Sequence, residues 1–300
     1  MIRRLKYHEI DFEKYSQCIE NSAQRKYSAT KPFLDLTSGK KWEVLVLRDY
    51  EAVMPIPYVM KLVFKIVQNP RLCQQLGIYS KLDDKKINDS FFNFLSKKYI
   101  VRYYAFNDSN EFSFQLNFRK NYLILPDSYE NVYSKFSPKR KRKLRTDPEI
   151  LKDMHIRKIS FKDSELFIRN TLKGADKARD IAKYISLFEM LYSNDCLFFE
   201  GLYYQNEIIN IIAVYTDEKT AVLLGTFNHQ DYVKLAGASI LIDKVLRETV
   251  EHKIFDFEGG NLPNLDEFFR GFRPEMKPYF YISNNAKDLI RTTIKKYLKI

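Results

Sequence analysis

The sequence predicts a mixed α/β chain, and three observations carry that prediction. Runs of strand length, alternating or wholly apolar, are interleaved with longer segments of helical period. The order helix, hairpin, strand, loop, helix, strand can be read once before residue 130 and again after residue 150, a repeat of pattern without a repeat of sequence. Of the 300 residues 45% are hydrophobic and 15% aromatic, which excludes a disordered chain and suffices for one or two cores. The expected division is 1–130, a basic connecting helix at 131–150, and 151–300. Interleaved helices and strands argue for α/β or α+β mixed sheets over an all-helical fold.

In the first half, Asp11 is placed to cap a helix whose face is Phe12, Tyr15 and Ile19. Residues 22–40 are polar, with Pro32 and Gly39, and read as a loop containing a short helix. Residues 42–47 alternate as a strand, Arg48-Asp49-Tyr50 turns, and 51–56 returns, ended by Pro55 and Pro57 near an edge. Residues 65–68 are a further strand. Asp89 can cap a helix built on Phe91, Phe94 and Leu95. Residues 100–106, 111–116 and 122–125 read as strands.

Ser137 and Pro138 have the form of an N-cap and first helical position. Lys139, Arg140, Lys141, Arg142, Lys143 and Arg145 follow almost unbroken, and Pro148 is expected to stop the helix. Such like charges repel, so the segment needs an anionic partner or free solvent. In the second half, Ile181, Tyr184, Ile185, Phe188, Leu191 and Tyr192 form a helical face. Residues 196–204 and 207–215 form a hairpin about Gln205-Asn206, and 221–226 is another strand. Gly237 opens a helix whose apolar face is Ile242, Val245, Leu246 and Val250. Residues 254–257 are a strand that ends at Gly259-Gly260.

The net charge of +12 favours anionic partners: nucleic acid, phosphorylated cofactors or a membrane surface. Cys18, Cys73 and Cys196 lack metal spacing and read as reduced thiols. The first fifteen residues lack the apolar core of a secretory signal, and no apolar run approaches the roughly 20 residues that span a bilayer. A soluble, cytoplasmic protein is expected. The four histidines show no ligand spacing, and no metal is expected. Gly-x-Ser-x-Gly, Walker, His-Glu-x-x-His, zinc-finger and RNA-recognition signatures do not occur.

The stretch 221–281 organises the rest. Small residues open the helix at Gly237, and a helix start of this kind bares N–H groups that suit a phosphate or carboxylate. Phe255-Asp256-Phe257-Glu258-Gly259-Gly260 is followed by Phe268-Phe269-Arg270-Gly271-Phe272 and Tyr279. This order resembles the acyl-donor half of the GNAT acyltransferase superfamily, and more narrowly the Fem-type aminoacyltransferases and their Fem-like acyltransferase relatives. The resemblance implies two tandem GNAT-type domains with the donor chemistry in or beside the second. It also implies a pyrophosphate loop of the form Gln/Arg-x-x-Gly-x-Gly/Ala, whose nearest match here is Lys234-Leu235-Ala236-Gly237-Ala238-Ser239. The other reading of that loop is an ordinary helix start packed on a strand.

Asp256 and Glu258 alternate, so on a strand they share a face, and either could accept the proton of an attacking amine. They could equally pair with Arg270, Arg273 or Lys277 and fix the turn. Fem-type enzymes often carry a lysine in the phenylalanine-flanked turn. Here Phe269 stands at that step, with Arg270 one residue later. The resemblance suggests Tyr279 as a proton donor to a leaving thiolate, against core packing as the alternative. The basic run has three readings: contact with tRNA or coenzyme phosphates through residues such as Arg140 and Arg145, a nuclear address, or a solvated connecting helix.

The expected function is therefore an N-acyltransferase that moves an acyl group from acyl-coenzyme A to an amine, in a cleft between the halves. Leu224, Gly225, Thr226 and the Gly237 helix start would hold the donor, and Arg270 and Arg273 would hold anionic groups. The acceptor could be a cell-wall precursor, an amino sugar, a lipid headgroup or a protein amine. The alternatives are an aminoacyl-tRNA donor and a non-enzymatic nucleic-acid-binding protein that uses 139–145.

Overall fold

The computed structural model describes residues 1–145, 147–175 and 177–297, the last three by backbone only. In chain order the elements are β1 (Ile2–Leu5), α1 (Phe12–Glu20), α2 (Lys31–Ser38), β2 (Trp42–Leu47), β3 (Ala52–Lys61), β4 (Phe64–Gln68), β5 (Tyr79–Ser80), α3 (Lys85–Lys98), β6 (Ile100–Ala105) and β7 (Asn117–Ile124). Then come α4 (Tyr129–Lys135), α5 (Pro138–Leu144), α6 (Pro148–Lys152), β8 (Met154–Ile159), α7 (Phe161–Thr171), α8 (Ala178–Ser193), β9 (Leu197–Tyr204), β10 (Glu207–Thr216) and β11 (Thr220–Asn228). The chain closes with α9 (Gly237–Thr249), β12 (Ile254–Asp256), α10 (Pro263–Arg270), β13 (Glu275–Ser283) and α11 (Ala286–Tyr297).

Packing divides the chain into a first unit, Met1–Lys120 with the segment from Pro278 onward, and a second unit, Asn121–Lys277. In the first unit the strands run β1-β2-β3-β4-β6-β13, antiparallel except for β4 and β6. In the second they run β7-β12-β11-β10-β9-β8, antiparallel except for β11 and β12. Each unit thus holds one parallel pair joined through a helix, α3 or α9, because a parallel connection needs a crossover. The repeat read from the sequence is present in this form. The last strand of each sheet is out of chain order, β13 in the first unit and β7 in the second. The expected consecutive blocks 1–130 and 151–300 do not describe this exchange.

The first unit is built on an aromatic core in which Trp42, Tyr15, Tyr27, Phe33 and Phe91 are buried. Their polar atoms are matched: Trp42 donates to Asp35 at 2.9 Å and Tyr15 to the Ala29 carbonyl at 2.6 Å. In the second unit, Ile242, Val245 and Leu246 of α9 and the capping Val250 after it are fully buried in one cluster with Leu202, Ile212, Val214 and Leu223. Asp11 caps α1 through the N–H groups of Glu13 and Lys14. Gln205 and Asn206 both take positive φ (50° and 66°) at the β9–β10 turn, the backbone a two-residue hairpin needs.

Four expectations need correction. Asp84, not Asp89, caps α3, accepting from Lys86 and Ile87. Residues 111–116 are not a strand, because the N–H groups of Glu111 and Ser113 donate to the carboxylates of Asp83 and Asp89. β3 continues through Pro55 and Pro57 to Lys61; it pairs with β2 as far as Pro57 and with β4 from Tyr58, so the prolines lie just before the change of partner. Pro148 does not stop the basic helix, which ends at Leu144; it opens α6 at a position where its missing N–H costs nothing.

Candidate active site

β11 and β12 pair in parallel over three positions only, ending at Val222 and Asp256. Beyond them the strands part. The chain after Asp256 follows β7, with the Phe257 N–H donating to the Tyr122 carbonyl at 3.0 Å. β11 stays on β10, and a bulge opposite Ala213 and Val214 leaves Leu224 out of register. Leu224, Gly225 and Thr226 are half-buried on a stretch with no strand on its β12 side among the described residues.

α9 begins beside β9 and β10. Ala236 is left-handed (φ 57°), and the Ser239 and Ile240 N–H groups return to its carbonyl. Gly237 is buried, and a Cβ there would lie 2.8 Å from the Cβ of Asn210 and 3.1 Å from Leu202. This glycine lets the helix approach the sheet. Ser239 is also buried, and its hydroxyl takes a hydrogen bond from Arg140. Ala238 is half-buried and Lys234 exposed.

Arg140 is the centre of the second unit's charged chemistry. Ser137 caps α5, accepting from the Arg140 N–H at 3.1 Å, and its own N–H donates to the Gly271 carbonyl at 3.0 Å. Arg140 is 5% exposed, and its guanidinium lies 4.4 Å from the ring centre of Phe268 and 4.2 Å from that of Phe272. It donates to the Phe268 carbonyl at 2.7 Å, while its Nε–H has no hydrogen-bond partner among the described residues. Burial lowers its pKa to about 10. Gly271 leaves room for it, since a Cβ there would sit 2.9 Å from a guanidinium nitrogen.

Arg140 opens on a cavity of about 490 Å³ that is also lined by Lys139, Lys143, Arg270 and Arg273, against the carboxylates of Asp266 and Glu267. Glu267 is held by Lys139 at 2.8 Å. Asp266 accepts from the Tyr122 hydroxyl at 2.5 Å and lies 3.9 Å from Arg270. Burial, with Asp266 next in effect, pushes the Tyr122 phenol up to about 12. With five cations against two carboxylates, the cavity favours an anion.

Arg140, Arg270 and Arg273 therefore come together at one cavity, while Arg145 is exposed outside its lining. The phenylalanine-flanked segment is the helix α10 rather than a turn, with Arg270 its last residue. Asp256 and Glu258 do not share a strand face: β12 ends at Asp256, and Glu258 has φ 51°. Asp256 is buried and organises the turn, accepting from Asn121 at 2.9 Å and from the Glu258 N–H at 2.8 Å, while Asn121 accepts from Gly259 at 3.0 Å. Tyr279 is buried in the first unit, beside Tyr103. Lys139 and Lys143 stand in the basic run and Phe268 and Phe272 in the quoted motif, but the sequence reading did not join the two segments at one cavity or place the two rings on Arg140. The i, i+4 spacing of the two phenylalanines was the available signal.

No protein-family model matches the sequence, and no curated protein matches it. Among solved structures the chain is similar to FemX, with a TM-score of 0.64 at 7% identity over 92% of this chain and 96% of that one. It is similar to a conserved protein of unknown function from Bacteroides thetaiotaomicron, with a TM-score of 0.55 at 9% identity over 95% and 100% of the two chains. It is also similar to a tandem GNAT protein from the clavulanic acid biosynthesis pathway, with a TM-score of 0.51 at 9% identity over 94% and 97%. At such identities the likeness is one of fold. The chain has a mixed α/β fold like that of FemX and of the tandem GNAT protein.

Proposed function

We propose that the protein is an N-acyltransferase that passes an acyl group from an acyl-coenzyme A thioester to an amine. The observation that carries this reading is the parting of β11 from β12 after Val222 and Asp256, which leaves a strand edge at Leu224, Gly225 and Thr226. An extended, amide-bearing donor chain can add to such an edge as another strand would. The amine nitrogen attacks the thioester carbonyl, the C–N bond forms, the C–S bond breaks, and the thiolate leaves and takes up the proton that the new amide nitrogen sheds. Before attack the ammonium must give up its proton, and Glu258 is the group we assign to accept it. Asp256 positions Glu258 by fixing the turn. The cavity at Arg140, Arg270 and Arg273 holds an anionic group of donor or acceptor. Placement supplies most of the rate, and proton transfer about 10²–10⁴-fold.

The test is amine-dependent release of coenzyme A thiol from acetyl-coenzyme A, followed across amino sugars, polyamines and peptide amines. Release that depends on one amine class, and falls at least about 10²-fold in Glu258→Gln, supports the reading. No release with any amine overturns it.

A second reading rests on a separate observation. Lys139, Arg142, Lys143 and Arg145 are all exposed within seven residues, a spacing that suits a phosphate backbone. In that reading the donor is aminoacyl-tRNA. Discharge of a charged tRNA to an amine, with affinity falling steeply as salt rises, would favour it over the thioester donor.

A further inference from the structure

The first unit contains a second basic cavity that the proposed acyl transfer does not use. It measures about 470 Å³, within the range of small-molecule sites, and is lined by Arg71, Arg102 and Arg119 with Gln68, Gln74 and Tyr103 among its other walls. No carboxylate lines it among the described residues. Arg102 and Arg119 thus face a cavity whose described walls carry no acid, an arrangement that favours an anion.

The walls are pre-set. Arg119 lies 5.2 Å from the ring centre of Tyr103 and 4.8 Å from that of Tyr281, and it donates to the Tyr103 hydroxyl at 3.3 Å. These contacts, with a further hydrogen bond to Tyr279, hold the guanidinium plane at the cavity wall. The loop from 69 to 74 is clamped by Asn69, whose amide donates to the carbonyls of Cys73 (3.4 Å) and Gln74 (3.3 Å), with Leu72 left-handed at φ 60°. The Gln74 side-chain carbonyl accepts from Gln75 at 2.8 Å, so its NH₂ is the end left to donate. Arg102 is exposed, and no ion pair engages it among the described residues.

We propose that this cavity binds a phosphorylated small molecule, the phosphoryl oxygens taking the forks of Arg102 and Arg119 and the polar body lying against Gln68 and Gln74. A phosphoryl group suits it better than a single carboxylate. A diphosphate carries enough charge to match several guanidinium groups and enough oxygens to be held by more than one fork.

The test is calorimetric titration of the full chain with inorganic pyrophosphate at fixed salt. Because the Arg140 cavity also favours an anion, the titration is read for the saturable event that Arg102→Gln/Arg119→Gln weakens at least about tenfold, since each charge-assisted bond lost is worth that much. Lys143→Gln/Arg273→Gln, in the other unit's cavity, leaves this event in place. Arg102→Lys/Arg119→Lys, which keeps the charge and loses the fork, weakens it as well and serves if the glutamine variant does not fold. The proposal is overturned if the wild-type chain does not bind pyrophosphate, if the Arg102 and Arg119 variants bind it unchanged, or if citrate binds there and pyrophosphate does not.

Discussion

Replacing Gly237 by alanine distinguishes the two roles this residue could have. The new Cβ would lie 2.8 Å from the Cβ of Asn210, 3.1 Å from Leu202 and 3.2 Å from the Asn210 Cγ. Carbon atoms come to rest at about 3.5–4.0 Å, so α9 or β10 would have to yield by roughly 0.7 Å or more. Neither neighbour is a flexible chain end: Asn210 is buried with its amide bonded to Asn228, and Leu202 is buried within β9. Overpacking of this kind costs about 1–3 kcal/mol, offset by up to about 1 kcal/mol from the better helix propensity of alanine. The expected net loss is about 1–2 kcal/mol, read as a lower urea midpoint with an unchanged slope. A variant as stable as the parent that binds acetyl-coenzyme A more weakly would refute the packing argument and return Gly237 to ligand approach.

Other outcomes follow from the same geometry. Glu200 is fully buried on β9 and is met by Lys244 at 3.0 Å, so Lys244→Met should cost about 3 kcal/mol or more in urea denaturation; a loss below about 1 kcal/mol would mean the carboxylate is otherwise satisfied. Burial pushes the Cys18 thiol up to about 11, so alkylation by iodoacetamide at pH 8, followed by mass spectrometry, should be far slower than for a free cysteine and should rise until about pH 11. Burial lowers the Arg140 pKa to about 10, below the ordinary guanidinium range, so from about pH 10 up to that range the unfolded chain holds more protons. Its contribution to stability therefore rises as pH climbs through that window. The urea midpoint of the parent relative to Arg140→Met should climb from pH 10 upward, and a constant difference would show that the guanidinium is not desolvated.

Local order was legible wherever one physical cause dominated. The α9 face followed from its apolar period, α1 from the Asp11 cap, and the β9–β10 turn from two residues that tolerate positive φ. Where causes competed, the sequence misled. Asp84 and Asp89 both precede helical residues, and nothing local says that Asp89 will instead receive the Ser113 N–H. The alternation of Phe112 and Phe114 imitates a strand, yet both rings pack on Phe92 while the intervening backbone is bound by carboxylates. Asp256 and Glu258 alternate in sequence, but the left-handed backbone at Glu258 breaks the strand geometry. At the site, Arg140, Arg270 and Arg273 were marked by charge and by the phenylalanine motif. The burial of Arg140 could not be read, because Ser239 lies 99 residues away in the chain. The out-of-order strands β7 and β13 were hidden for the same reason, since strand partners are set by packing across the whole chain.

The most direct measurement is amide hydrogen exchange across residues 223–228, with and without saturating acetyl-coenzyme A. If the strand edge at Leu224, Gly225 and Thr226 receives the donor, exchange there slows on binding while the first unit's β2 and β3 are unaffected. Unchanged exchange in 223–228, in a chain that acetyl-coenzyme A demonstrably saturates or that transfers its acyl group, would place the donor elsewhere and contradict the account.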